Sequence, residues 1–260
     1  MARRSLGTLV VFVASAFVLA SPSAIAQAPP PQRLSVNIVN VKPEALTDWL
    51  ALQEKETIPG LKKAGVAGRE AWTTAFFGEA YQYFFSQPIE KFAMYDNPQA
   101  PMVRALGQQN ANIYNEKLRR MIVSQQTLAI TILPGSIIPP DSYQPKFMVL
   151  NFQYATPGRA DDYQRYLQEQ LMPIIRKAKP VGYALSRTLH GGDANEFVTA
   201  RYIEKMADLD GPNLQQQVLG PKAPAVGPPD GVLQRQERRI YRYVPNLSFR
   251  ASASGTNRQQ

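Results

Sequence analysis

Apolar residues are arranged along this chain in three patterns. One stretch near the N-terminus, Leu9 to Ala20, is apolar almost throughout. Elsewhere apolar and polar positions alternate: Leu34, Val36 and Ile38 do so in the first half, and Met148, Leu150, Phe152 and Tyr154 in the second. A period of two predicts strands. After each strand the spacing lengthens to that of a helix, through Leu46, Leu50, Ile58 and Leu61 or through Tyr163, Leu167, Leu171 and Ile174. Pro43 and Pro157 suit the first turns of these helices. Pro59 and Pro173, which lack the N–H that the ladder needs, are expected to bend or end them. Two strands rich in aromatic and β-branched residues follow, Glu70 to Phe76 with Tyr81 to Phe85 and Tyr183 to His190 with Asn195 to Arg201. The Gly-bearing turns 77–80 and 191–194 join them into hairpins. Helical spacing returns over Pro101 to Gln125 and, shortened, over Asn213 to Leu219. Closing strands are expected over Thr127 to Leu133 and Arg239 to Val244. Each half therefore reads β-α-β-β-α-β, the split ferredoxin-like order.

The two halves are one unit present twice. Residues 34–96 lie on 148–210 without a gap, Pro59 falling on Pro173 at an offset of 114. Asn37 then meets Asn151, Pro43 meets Pro157, Gly68 meets Gly182, Thr74 meets Thr188, and Ile89-Glu90-Lys91 meets Ile203-Glu204-Lys205. Trp49 falls on Tyr163 and Leu61 on Ile175, so character is kept where identity is not. A repeat of this length dictates the domain plan. The first repeat is placed at 33–140, the second at 146–247 with Asp141 to Pro145 as the joint, and a disordered tail at 248–260.

The N-terminal stretch adds a compartment. Arg3 and Arg4 precede it, and the small residues Ala24 and Ala26 follow, so 1–26 reads as a signal peptide cleaved near Ala26. Its apolar core of about a dozen residues is too short for a comfortable span. A twin-arginine signal is the alternative to ordinary secretion. The expectation is a periplasmic or secreted protein with no stable membrane insertion after cleavage. There is no cysteine, so stability must come from a core without disulfides. Loss of Arg3 and Arg4 takes the net charge of +9 to +7, and the remaining basic residues are isolated pairs such as Lys62-Lys63 and Arg238-Arg239. Without a basic stripe, nucleic acid is excluded as a partner.

A tandem pair of ferredoxin-like units with aromatic hairpins resembles the dimeric α/β-barrel superfamily in its single-chain form, with the antibiotic-biosynthesis monooxygenase-like and NIPSNAP-like branches as parallels. The resemblance implies an α+β pseudo-dimeric barrel whose sheets meet face to face beneath outer helices, with a cleft between sheet and helices often used for small apolar ligands or oxidations. Members include haem enzymes, isomerases and proteins without assigned activity, so the fold does not deliver the function. One chain carrying both halves implies a monomer or weak homo-oligomer.

Strand alternation nominates site residues. With Leu34, Val36 and Ile38 assigned to the helices, Asn37 and Asn151 aim at the opposite sheet. Pairing His190 with Asn195 puts Ser186, Thr188, His190, Phe197, Thr199 and Arg201 on that same interior face, with Trp72, Thr74, Phe76, Tyr83 and Phe85 as counterparts. Asn37, Asn151, Trp72, Tyr83, Phe85, Phe197 and Arg201 are the candidate ligand-binding residues, and an apolar wall with few polar groups is the usual make-up of a small-molecule site. The aromatic members equally suit a sheet-to-sheet core, and the amides equally suit internal hydrogen bonding. His190, Tyr83 and Arg201 are the catalytic candidates, His190 because of its pKa range. Its equivalent is Phe76, which fits a structural ring as well. One histidine, no cysteine and no carboxylate cluster give no expected metal site, and no cofactor is expected. Three functions stay open. The chain could bind a small apolar or aromatic molecule between its sheets, act as a cofactor-independent monooxygenase or isomerase in which the substrate supplies the electrons, or serve as an envelope protein that binds a partner and has no ligand site.

Overall fold

A computed structural model describes residues 32–96, 100–140, 143–224 and 226–250. The signal-peptide segment 1–26, and the tail from 251 onward, lie outside the described residues. The first repeat runs β1 (Arg33–Val41), α1 (Leu46–Leu52), α2 (Ile58–Lys63), β2 (Gly68–Thr74), β3 (Gln82–Ile89), α3 (Pro101–Leu106), α4 (Gln108–Met121) and β4 (Ile122–Ile132). The second runs β5 (Phe147–Ala155), α5 (Ala160–Arg165), α6 (Met172–Ala178), β6 (Tyr183–His190), β7 (Glu196–Ile203), α7 (Leu214–Leu219) and β8 (Leu233–Tyr243).

The strand order is β3-β1-β4-β6-β7-β5-β8-β2, and β2 pairs back onto β3. Eight antiparallel strands thus close into a barrel, which leaves no free edge between the repeats. Two seams of the same kind join the halves. On one, β4 pairs with β6 through Thr131 and Arg187; on the other, β8 pairs with β2 through Tyr243 and Trp72. From residue 31 onward the chain is one unit, so the repeats are halves of a single body.

Several boundaries differ from those expected, each for a local reason. Neither Pro59 nor Pro173 ends its helix. A π turn, Gln53–Thr57 or Tyr166–Leu171, immediately precedes α2 and α6, and each proline sits in the first turn of the segment that follows. The wider turn accommodates the ring and the missing donor, and the chain stays helical. The helix expected over 101–125 breaks at Gly107, whose φ of 78° suits glycine. It ends at Met121, because Ile122 is already paired with Val41 of β1. β8 starts at Leu233 rather than at Arg239: its charged outer positions hide a strand that pairs with β5 from Arg235 to Arg242. Residues 248–250, expected in the tail, are instead tied to β2 and the end of β8. Phe249–Arg250 forms β9 on Gly68 and Arg69, while the Ser248 hydroxyl accepts the Ala71 N–H and donates to the Val244 carbonyl.

The largest correction concerns which way the strands face. Leu34, Val36 and Ile38 point into the barrel, where they meet Leu128, Ile130 and Phe84. Met148, Leu150 and Phe152 do the same against Trp72 and Tyr241. A closed barrel has an apolar interior as well as an apolar layer beneath its helices, so the more apolar side of β1 did not have to face helices. The hairpins are also shifted by one residue: Arg187 pairs with Phe197 and Thr73 with Tyr83, while His190 pairs outward with Ala129. A slip of one residue moves a strand's side chains to the other face. Phe197, Thr199 and Arg201 therefore lie on the helix side, away from Ser186 and Thr188. Tyr83 and Phe85 pack with Trp49 and Ala71 beneath the helices, away from Trp72.

Candidate functional site

The helix side of the first half encloses a cavity of about 290 Å³. Its floor is the outer face of the sheet, with Asn37 on β1, Arg69 on β2 and Phe85 on β3. The π turn lies over this floor and brings Gln53 and Thr57, polar residues only 3% and 6% exposed, to the cavity wall together with Trp49 from α1. Met102 from α3 and Tyr114 and Leu118 from α4 complete the enclosure.

The polar groups of this wall are under-partnered. Arg69 donates from Nη2 to Gln53 Oε1 at 2.8 Å, and its guanidinium lies 3.7 Å above the Phe85 ring. Its Nε and Nη1 have no acceptor among the described residues; Trp49 Nε1 and Asn37 Oδ1 are likewise buried without partners. Thr57 donates to the Leu52 carbonyl at 3.3 Å, so Tyr114, with its hydroxyl 2.9 Å from Thr57 Oγ1, is the donor in that pair. Burial pulls the Arg69 guanidinium down to about 10, opposed by Tyr114. It pushes the Tyr114 hydroxyl up, opposed by Thr57 and Arg69. Among the described residues no Asp, Glu or His lines the cavity. Four orphaned polar atoms around one space are unusual, because buried polar groups are normally paired.

The candidates read from sequence divide accordingly. Asn37 and Phe85 line the cavity; Tyr83 stands behind it, its ring centroid 4.4 Å from Trp49. Trp72 points into the barrel and borders a second space of about 560 Å³ at the barrel mouth, with Tyr202 and Tyr243. Asn151, Phe197 and Arg201 belong to the helix side of the second half, where Tyr163, Leu167, Leu171, Ile175 and Leu185 pack together. Phe197 is fully buried there, edge-on to Tyr163 at 5.2 Å. Asn151 Oδ1 is buried without a partner, so the two asparagines neither satisfy each other nor face the opposite sheet. Arg201 donates to the Asp208 carbonyl at 3.4 Å, and burial lowers its pKa. His190 is exposed, edge-on to Phe92 at 5.5 Å, and lines neither space. Of the candidates expected between the sheets, Trp72 faces the barrel interior, whereas Asn37 and Phe85 lie between sheet and helices.

Gln53, Thr57, Arg69 and Tyr114 were missed as site residues. For the first three a signal existed in the repeat itself, because at the offset of 114 they fall on Leu167, Leu171 and Tyr183. A polar residue where its duplicate is apolar or neutral is the mark of a site in one half only. Among the described residues, no group of three or more His, Cys, Asp or Glu could hold a metal ion. Haem, which some members of the resembled superfamily carry, does not fit either cavity by its usual histidine ligand, since His190 lies outside both.

No family model matches the sequence, and no curated protein does. Solved structures match it in fold. An anthrone oxidase-like protein aligns with a TM-score of 0.55 at 10% identity, covering 85% of this chain and 93% of its own. A candidate monooxygenase from Lactobacillus acidophilus NCFM gives 0.53 at 7% identity, covering 85% and 96%. A chlorite dismutase variant from Candidatus Nitrospira defluvii gives 0.53 at 11% identity, covering 82% and 92%. The fold is therefore the dimeric α+β barrel that the duplication implied.

Proposed function

We propose that this protein binds a small, mostly apolar molecule in the sheet-to-helix cavity of its first half. One observation carries the reading: where the second half gathers buried apolar residues around Leu167 and Leu171, the first half has a cavity around which four buried polar atoms lack partners. A volume of about 290 Å³ lies near the lower end for small-molecule sites. Leu61, Phe85, Met102 and Leu118 would hold the apolar body, and the orphaned groups would orient its polar end. The signal-like N-terminus supports a role in the periplasm or outside the cell.

The test is native mass spectrometry of the protein purified from its own compartment. The wild type is expected to carry a small adduct, and Met102→Trp, which fills the cavity from its rim, is expected to lose it. An adduct that survives Met102→Trp, or a wild type with no adduct, counts against the reading.

A second reading of the same cavity is cofactor-independent oxygenation. It is supported by the monooxygenase and oxidase-like descriptions of proteins with this fold. With no carboxylate or histidine on the wall, the ligand would have to arrive already deprotonated. Oxygen uptake on adding the recovered ligand separates turnover from binding.

A further inference from the structure

We infer that the ligand of the first-half cavity carries a negatively charged oxygen, as a carboxylate, enolate or phenolate on a small apolar body, and that Arg69 is its partner. The inference rests on the cavity reading above and adds the chemistry of the ligand's polar end.

Arg69 is only 5% exposed and forms no ion pair among the described residues. The carboxylate whose charge reaches the Tyr114 side of the cavity is Glu56, and it is held on the surface by Lys117 at 2.8 Å. What Arg69 does have is one neutral amide oxygen, from Gln53, and the face of Phe85. A buried cation is costly unless it is paired, and a neutral acceptor and a ring face recover only part of that cost. Even at a pKa of about 10 the guanidinium stays charged at neutral pH. The site is thus left with an uncompensated positive charge.

The remaining orphans point the same way. Arg69 Nε, Arg69 Nη1 and Trp49 Nε1 are donors, against the single acceptor Asn37 Oδ1. Such a wall suits an acceptor-rich, anionic group, and is matched only in part by a neutral hydroxyl and not at all by a cationic amine. The second half supplies the control within one molecule. Where the layer is filled, the position of Arg69 is taken by Tyr183, and Leu167 and Leu171 replace Gln53 and Thr57. The second half has arginines on this layer too, but there Arg187 is paired with Asp161 at 3.0 Å and Arg201 donates to the Asp208 carbonyl, whereas Arg69 has no carboxylate beside it among the described residues.

The experiment titrates benzoate and, separately, benzyl alcohol into the whole protein, following its two tryptophan indole N–H signals by nitrogen-15 NMR. Trp49 reports the first-half cavity, and Trp72, which borders the second space, reports binding there instead. Benzoate is expected to shift Trp49 and to bind at least about tenfold more tightly than benzyl alcohol, a difference of about 1.4 kcal/mol. Arg69→Met is expected to erase that preference while leaving the benzyl alcohol affinity within about twofold of wild type. Arg69→Lys, which keeps the charge, retains a preference for benzoate and serves should Arg69→Met fail to fold. Equal binding of the two probes by the wild type, or a preference that survives Arg69→Met, overturns the inference and leaves the cavity reading standing. A Trp49 signal that neither probe moves overturns both.

Discussion

The two halves of the barrel share a chain path and differ in what fills the layer between sheet and helices. In the second half Tyr163, Leu167, Leu171 and Ile175 interlock with Leu185 and Phe197. In the first half the π turn offers Gln53 and Thr57, Arg69 replaces a tyrosine, and the space stays open. The closing helices differ too: α4 is 14 residues long and brings Tyr114 and Leu118 to the cavity, whereas α7 has only six. After α7 comes a proline-rich loop, fastened where Tyr166 donates to the Val226 carbonyl at 2.8 Å. Duplication thus supplied two equivalent shells, of which one behaves as core and the other has the features of a site. The second half also buries unpartnered polar atoms, Asn151 Oδ1 and Gln153 Oε1, but the buried guanidinium of Arg69 has no equivalent at its position there.

The comparison can be broken most directly at one repeated position. Leu167 is fully buried and its counterpart is Gln53. Leu167→Ala should cost about 2–5 kcal/mol in urea unfolding, the range for a fully buried leucine that leaves a cavity. A loss below about 1 kcal/mol would mean that the second half is not the better-packed one. At the matching site, Gln53→Leu removes the sole acceptor of Arg69 among the described residues and should cost about 1.5–3 kcal/mol. Adding Arg69→Met should reverse the sign, because replacing both buried polar partners by apolar groups is neutral or stabilising by up to about 4 kcal/mol. If the double variant is less stable than Gln53→Leu alone, Arg69 is structural.

Alkaline titration sharpens the same contrast. Burial raises the folded-state pKa of Tyr166 to about 12 from 10.0, and burial also pushes Tyr163 further up. A raised pKa means that the folded state holds a proton the unfolded chain releases. This stability is complete below pH 10 and is lost as pH climbs from 10 towards 12. Arg69 has the opposite sign: lowered to about 10 from 12.5, it is a burden below pH 10 that is relieved above it. Tyr166→Phe should therefore soften the alkaline loss seen by circular dichroism, and Arg69→Met should steepen it. A profile unchanged by Tyr166→Phe would show that this tyrosine is not held neutral by burial. The smallest effect is expected at His190, exposed and remote from both spaces. His190→Ala should shift stability by less than about 0.5 kcal/mol and leave Trp49 shifts by benzoate unchanged.

Much of the architecture was readable from residues alone. The offset of 114 exposed the repeat, and alternation and helical spacing placed the eight barrel strands and the helices between them in order, while β9 fell in the expected tail. Asn37 and Phe85, named as ligand-binding candidates, line the first-half cavity, although the face argument that chose them was inverted. Gln53, Thr57 and Arg69 went unread because a polar residue on a helix or strand, taken singly, looks like surface. Only comparison with Leu167, Leu171 and Tyr183 marks them as out of place.

What the sequence determined by itself is the unit and its duplication, since local spacing and repeat register are properties of the chain. Which face of each strand looks inward was decided in the tertiary structure. Barrel closure buries both faces of the sheet, and hairpin registers were set by pairing across the seams, as when His190 joins Ala129 of the other half rather than its own hairpin. The cavity arose at the same level. Its walls come from β1, β2, β3, β4, α1, the π turn, α2, α3 and α4, and only the packing of these elements leaves the guanidinium of Arg69 facing a space with no counter-charge.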